Sequence, residues 1–178
     1  ISMPIGEEWK SYLKDIKDFT LKLDRNKIRE VILRPYHSNI IWDQVYNFDK
    51  NLPGVILEDT NLNIERGIQR ARLVICTWNS TNFLHLLLSN IPFLCFGNPE
   101  LFKLEEAAKP AFNKLFKAKI MHFDKKKAGL FANKIWPNVE EWWFSDKTQK
   151  ARDGFISKYC LPAENNRDLF FRFIKNER

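Results

Sequence analysis

"VICTWNSTNFLHLLLSNIPFLCFGNP", residues 74–99, starts as an apolar run, pauses at an elbow of small hydrogen-bonding residues, continues as a helix and closes in a second apolar run. The runs at 72–77 and 92–96 are short, rich in Val, Ile, Leu and Phe, and do not alternate with polar residues. Such runs suit strands buried on both faces, as in a parallel sheet. Between them Phe83, Leu84, Leu87 and Leu88 recur at helical spacing.

The same pattern extends in both directions. EVILRPY (30–36) and GVILED (54–59) are further runs of this kind, and KIMHF (119–123) is a weaker fifth. Ile64, Ile68 and Ala71 mark a second helix. The intervals between runs reach or approach the dozen residues that a parallel crossover requires. Ahead of them, residues 7–23 place Trp9, Leu13, Ile16, Phe19 and Leu23 at helical spacing among Lys and Asp, which predicts an amphipathic helix. After residue 124 the pattern is wholly helical: a lysine-rich segment, VEEWWF, TQKARDGFISKY and finally Asp168 to Lys175. The expected fold is α/β: a Rossmann-like, doubly wound parallel sheet of four to five strands with extra carboxyl-terminal helices. No repeat and no flexible linker interrupts it.

The chain's 178 residues suffice for one domain with a proper core and not for two of full size. No window approaches the roughly 18 apolar residues of a membrane span, and the start lacks the features of a secretory signal. Beginning at Ile1, the chain is expected to be cut from something longer. Cys76, Cys95 and Cys160 are odd in number and at unrelated spacings, which predicts free thiols in a reducing compartment and no metal ligands. A cytoplasmic protein is expected.

The formal charge of +7 favours anionic partners. Much of the charge lies along helices, at Lys10, Lys14, Lys17 and Lys22 and from Lys103 to Lys119, with a short run at Lys125, Lys126 and Lys127. Solvated helix faces with some attraction to an acidic membrane account for it. No motif for nucleic-acid binding accompanies it.

Ligands of open parallel sheets bind beyond the carboxyl ends of the strands. That rule nominates Arg34, Pro35, Tyr36 and His37 after the first strand, Glu58 and Asp59 after the second, Thr77 to Thr81 after the third, and Gly97, Asn98 and Pro99 after the fourth. The third loop starts a helix, where unsatisfied N–H groups and the dipole favour an anion. With Thr77, Asn79, Ser80 and Thr81 beside them, they suit a phosphate. Asn79 or Ser80 would cap the helix, for which a single such residue suffices. His85, four residues after Thr81, either touches a ribose or sugar hydroxyl or is an exposed histidine without a task. Arg34, ahead of a proline that fixes the backbone, is either a fork for phosphate or a surface arginine. Glu58 and Asp59 are the best-placed acids for a general base, though neither pairs with a second carboxylate in the sequence. His122 ends an edge strand. Trp42, Trp136, Trp142 and Trp143 are expected to pack between the late helices and the sheet. The glycines and lysine of a Walker loop and the GxGxxG pattern are missing, and no DxD-like pair is present to hold a metal.

The succession RPY after a strand, ARLVICTWNSTNFLHLLLSNIPFLCF, NPE and IWPNVEEWWFSDKTQKARDGF resembles the carboxyl-terminal half of a family of transferases from bacterial surface-polysaccharide (O-antigen type) gene clusters. More distantly, residues 28 to 100 are similar to the donor-binding half of GT-B glycosyltransferases, including those that use CMP-activated acidic sugars. The resemblance implies a single Rossmann-like nucleotide-sugar-binding domain over residues 1–178, one half of a longer two-domain enzyme. It implies that Asn79, Ser80 and Thr81 hold the donor phosphate and that Arg34, Pro35 and Tyr36 form the basic, proline-containing loop that contacts the nucleotide. Related transferases commonly carry an acid where His85 stands, so the nature of the nucleotide sugar is open, a CMP-linked donor being favoured. The implied acceptor is a glycan or a lipid-linked one, with no metal or other cofactor, and the implied place is the cytoplasm or the inner face of its membrane. Two other functions compete: a different nucleotide-sugar enzyme such as an epimerase, and a non-catalytic basic docking module.

Overall fold

The structure is a computed structural model and describes residues 8–35, 43–77, 80–99 and 104–160. Tyr36, His37, Trp42, Asn79 and the segment Asp168 to Lys175 lie outside the described residues.

Every apolar run singled out above contains a strand. In chain order the elements are helix α1 (Glu8–Thr20), the single turn α2 (Arg25–Ile28), strand β1 (Ile32–Leu33), α3 (Gln44–Asn51), β2 (Ile56–Leu57), α4 (Ile64–Arg70), β3 (Val74–Cys76), α5 (Thr81–Leu88), β4 (Phe93–Phe96), α6 (Lys109–Lys117) and β5 (Met121–His122). Helix α7 (Lys125–Ile135) follows, then a 3-10 turn (Trp136–Asn138), α8 (Val139–Trp143) and α9 (Asp146–Tyr159). All strand pairs are parallel.

The single sheet of four to five strands is corrected. Among the described residues the strands form two sheets, β1-β2 and β3-β4-β5. The physical reason lies in their cores. Leu33 and Leu57 pack on a cluster made by Trp9, Ile16, Phe48 and Leu52 of α1, α3 and the loop after it. Strands β3 to β5 pack on two other clusters, so each sheet closes on its own apolar surface. Burial on both faces holds for β4, whose four residues are all buried. Phe93 and Cys95 face α5, α6 and α9, while Leu94 and Phe96 face α1 and α7. It fails for β1 and β2: register partners Ile32 and Ile56 are more than half exposed.

Helix α1 is shorter than the predicted 7–23. Thr20 turns its hydroxyl back to the Ile16 carbonyl (2.9 Å), and Lys22 and Leu23 close tighter turns onto Phe19 and Thr20. Its length lets it serve two layers, with Trp9 against Phe48 and Phe19 stacked on Phe96 at 4.9 Å. Gly129 of α7 allows the close crossing, since a Cβ there would stand 2.6 Å from the Phe19 carbonyl oxygen.

The late tryptophans pack as expected. Trp143 is fully buried, and its indole N–H donates to both the backbone carbonyl (3.0 Å) and side-chain oxygen (2.9 Å) of Asn90. Asn90 takes the left-handed conformation (φ 53) that ends α5 and turns the chain into β4. Trp142 donates to the Ala118 carbonyl at 3.1 Å. Cys76 and Cys95 are buried and free, and Cys160 is half-buried and free. Among the described residues, no helix is long and apolar enough to cross a membrane.

Candidate functional site

Parallel pairing turns the carboxyl ends of neighbouring strands to the same side, and the nominated residues follow those ends. At the end of β1 the buried Pro35 fixes the backbone behind Arg34. Register partners Leu33 and Leu57 bring Arg34 and Glu58 level with one another. Arg34 Nη1 donates to Glu58 Oε2 at 2.9 Å, and Nη2 donates to the carbonyls of Thr60 (3.0 Å) and Leu62 (2.6 Å). Arg70 of α4 stands 3.9 Å from the other carboxylate oxygen. Gly67 on the same helix lies so near that a Cβ there would be 2.9 Å from Glu58 Oε1. Glu58 is thus enclosed between two cations and a helix, and its side chain is 9% exposed. Its Oε2 is committed to Arg34 by a charge-assisted hydrogen bond. Asp59, exposed, instead accepts from the backbone N–H and side-chain amide of Asn61, which shapes the loop.

The third loop is built differently. Thr77, directly after β3, shares a hydrogen bond of 2.7 Å with the Tyr12 hydroxyl of α1. Burial pushes the Tyr12 phenol above its ordinary range, so it stays neutral. Ser80 holds the N-cap position of α5, yet its hydroxyl makes no capping hydrogen bond, and its carbonyl accepts from the Phe83 N–H instead. Thr81 and His85 are exposed one turn apart. Phe83, Leu86 and Leu87 bury the other side of this helix, which fixes the direction of its amino terminus. Asn98 follows Gly97, whose N–H donates to the His122 carbonyl at 3.3 Å and ties the exit of β4 to the end of β5.

His122 does close an edge strand. It is buried, its Nε2 lies 2.9 Å from the Lys119 carbonyl, and burial holds its pKa below the ordinary value. The structure thus brings Arg34 and Glu58 into contact and places Thr77 against Tyr12, a partner that the sequence did not nominate. The signal for Tyr12 was present but ambiguous, since a tyrosine beside the apolar stripe of an amphipathic helix usually records packing alone. Among the described residues no group of three or more His, Cys, Asp or Glu is arranged to hold a metal ion.

Chemically, the α5 elbow offers backbone N–H groups, a positive dipole end and hydroxyls to an anion, while Arg34 and Glu58 compensate each other's charge at the ends of β1 and β2. Comparison with known proteins adds one finding: a family model described as LIC12162 family transferase matches residues 1–174. No curated protein and no solved structure matches the chain.

Proposed function

The chain belongs to the LIC12162 family of transferases, and from that premise we propose that it is the donor-binding part of a glycosyltransferase that builds a bacterial surface polysaccharide of the O-antigen type. The observation that carries this reading is the α5 elbow: an N-cap serine whose hydroxyl makes no capping bond, with Thr81 exposed beside it at the carboxyl end of a parallel sheet. In this proposal the two sheets act as the two sides of one Rossmann-like unit, a half of a longer two-domain enzyme. Ser80, Thr81 and the first N–H groups of α5 bind the donor's phosphate, with Asn79 and Thr77 beside them. Asn98, Tyr36 and His85 contact the nucleoside or sugar, a CMP-linked sugar being preferred.

The electrostatic task is to stabilise charge that develops on the leaving nucleotide phosphate as the glycosidic bond breaks. The helix end supplies it from fixed dipoles. Arg34 contributes to the field and forms a fork to phosphate only by exchanging Glu58 or the 60–62 carbonyls for it. Neither Glu58 nor Asp59 is assigned the base; acceptor deprotonation falls to the missing half or to the acceptor's own surroundings. The acceptor is a glycan or a lipid-linked one at the inner face of the cytoplasmic membrane.

Thermal unfolding against CMP, UDP, GDP and ADP tests the reading, with a Ser80→Ala, Thr81→Val variant as control. A ligand at about a hundred times its dissociation constant adds about 2.7 kcal/mol to the folded state. The expected outcome is a higher midpoint with one nucleotide and no response in the variant. If no nucleotide raises the midpoint of this chain or of a longer one carrying the second domain, the reading is wrong.

A further inference from the structure

Helix α1 sorts its charges by face. At 3.6 residues per turn, Lys10, Lys14 and Lys17 fall within a sector of about 60°, Asp18 borders it beside Lys14, and Asp15 and Glu8 lie further round. Helix α7 engages the buried acid, Asp15. Lys125 pairs with Asp15 at 2.7 Å, and Asp18 sits in the field of Lys125 and Lys126 while accepting from Lys14 at 2.6 Å. Among the described residues Lys10 and Lys17 have no acidic partner.

This lysine stripe borders a cleft of about 430 Å³ between α1 and α3. Its floor is Trp9 and Leu13, and Asn47 and Asn51, one turn apart on α3, form the opposite wall. Beside that wall, on the solvent side of α3, Tyr46 is 56% exposed with the Lys50 ammonium 5.7 Å above its ring. The acid of this helix, Asp49, points away from the cleft. Cations, an exposed tyrosine and an open cleft thus lie together on α1 and α3, and α1 packs on the face of the β3–β5 sheet away from α6 and α9.

We propose that this α1–α3 face, through Lys10, Lys14, Lys17 and Lys50, docks the protein on a bilayer of acidic lipids, with a phosphodiester headgroup seated in the cleft. The lysines, spread over about 10 Å of helix, match a plane of phosphates. Tyr46 has the amphipathic character of residues that settle at the headgroup level, a feature that a soluble polyanion would not use. The proposal deepens the functional reading by naming the surface that brings donor site and lipid-linked acceptor together. It rests on that reading for the acceptor alone, since the experiment below involves no nucleotide.

The test is co-sedimentation of the whole chain with vesicles of phosphatidylcholine, alone or with about a third phosphatidylglycerol. A lysine close to an acidic surface is worth about fivefold in partitioning. The Lys10→Gln, Lys14→Gln, Lys17→Gln variant should therefore bind acidic vesicles about a hundredfold less well, with its circular dichroism and thermal midpoint unchanged. A variant that removes the same charge from α9, Lys147→Gln, Lys150→Gln, Lys158→Gln, should retain most of the binding. Salt at about 1 M, where the screening length falls to about 3 Å, should release the wild type. The proposal is overturned if the chain ignores acidic vesicles, if it binds neutral ones equally, or if the two triple variants lose binding alike. Retention on heparin together with indifference to acidic vesicles would overturn it in favour of a soluble polyanion. Loss of the nucleotide response with vesicle binding intact, or the reverse, separates failure of one reading from failure of the other.

Discussion

Arg34 and Glu58 follow register partners on adjacent parallel strands and meet as an ion pair at 2.9 Å beneath helix α4. Glu58 is the more enclosed of the two, its side chain 9% exposed against 23% for Arg34. Two residues nominated separately, one for an anion and one for a proton, thus neutralise each other.

Removing one partner leaves the other charge uncompensated in a site that water reaches poorly. Arg34→Ala and Glu58→Ala are each expected to cost about 2–4 kcal/mol, towards the lower end of what breaking a buried pair costs because Arg34 is partly exposed. The double variant should cost clearly less than the sum of the two. Urea unfolding of the four proteins measures this cycle; additive losses would mean that the pair contributes no coupling.

Two helical glycines should respond in opposite ways to alanine. At Gly129 the new Cβ would lie 2.6 Å from the Phe19 carbonyl oxygen and 2.8 Å from the Lys22 Cβ. Helices α1 and α7 would have to part, at a cost of about 1–3 kcal/mol. Within α9, a Cβ at Gly154 meets only the mobile end of Lys114 at 3.9 Å. Gly154→Ala should therefore stabilise by up to about 1 kcal/mol through helix propensity. Thermal midpoints should move down for the first variant and up for the second.

The pH dependence of stability carries the mark of His122. Burial, with the Phe131 ring tilted against it at 5.5 Å, keeps the folded imidazole below its ordinary pKa, and the unfolded chain binds the proton more readily. The stabilisation is fully present above the unfolded value of about 6.5 and is lost as pH falls through the lower folded value. His122→Gln should flatten this part of the profile, so denaturant midpoints measured at about pH 7 and about pH 5 should differ less than in the wild type. An unchanged difference would assign the acid sensitivity to other groups.

Thiol reactivity should separate the cysteines. Cys76 and Cys95 are register partners on β3 and β4; burial pushes Cys76 up to about 12 and Cys95 well above its ordinary range. Thiolate is the reactive form, so an aromatic disulfide reagent at about pH 8 should titrate one thiol, Cys160, in the native protein. All three thiols should react in denaturant. Rapid reaction of a second thiol without denaturant would show that β3 and β4 separate easily.

The five strand positions and the helices following β2 and β3 were legible because a buried strand or an amphipathic helix writes its period into neighbouring residues. Helix α3 was less so: it is held by Gln44 and Phe48, too few inward residues to set up a readable period. Ser80 was legible as an N-cap by its place before an apolar helix, whereas its lack of a capping bond depends on the backbone entering α5. Tyr12 and Thr77 are 65 residues apart, and no local pattern records such a pair.

By itself the sequence determined the alternation of strand and helix, the parallel pairing and the carboxyl-end loops where polar residues collect, since those follow from hydrophobic period and connection length. Only the tertiary structure decided that the strands divide between two sheets, that Arg34 is spent on Glu58, and that the lysines of α1 border a cleft while Asp15 turns to Lys125 of α7. These outcomes depend on which distant surfaces meet. The energy of an ion pair or an apolar cluster is realised only once the partners have been brought together from distant parts of the chain.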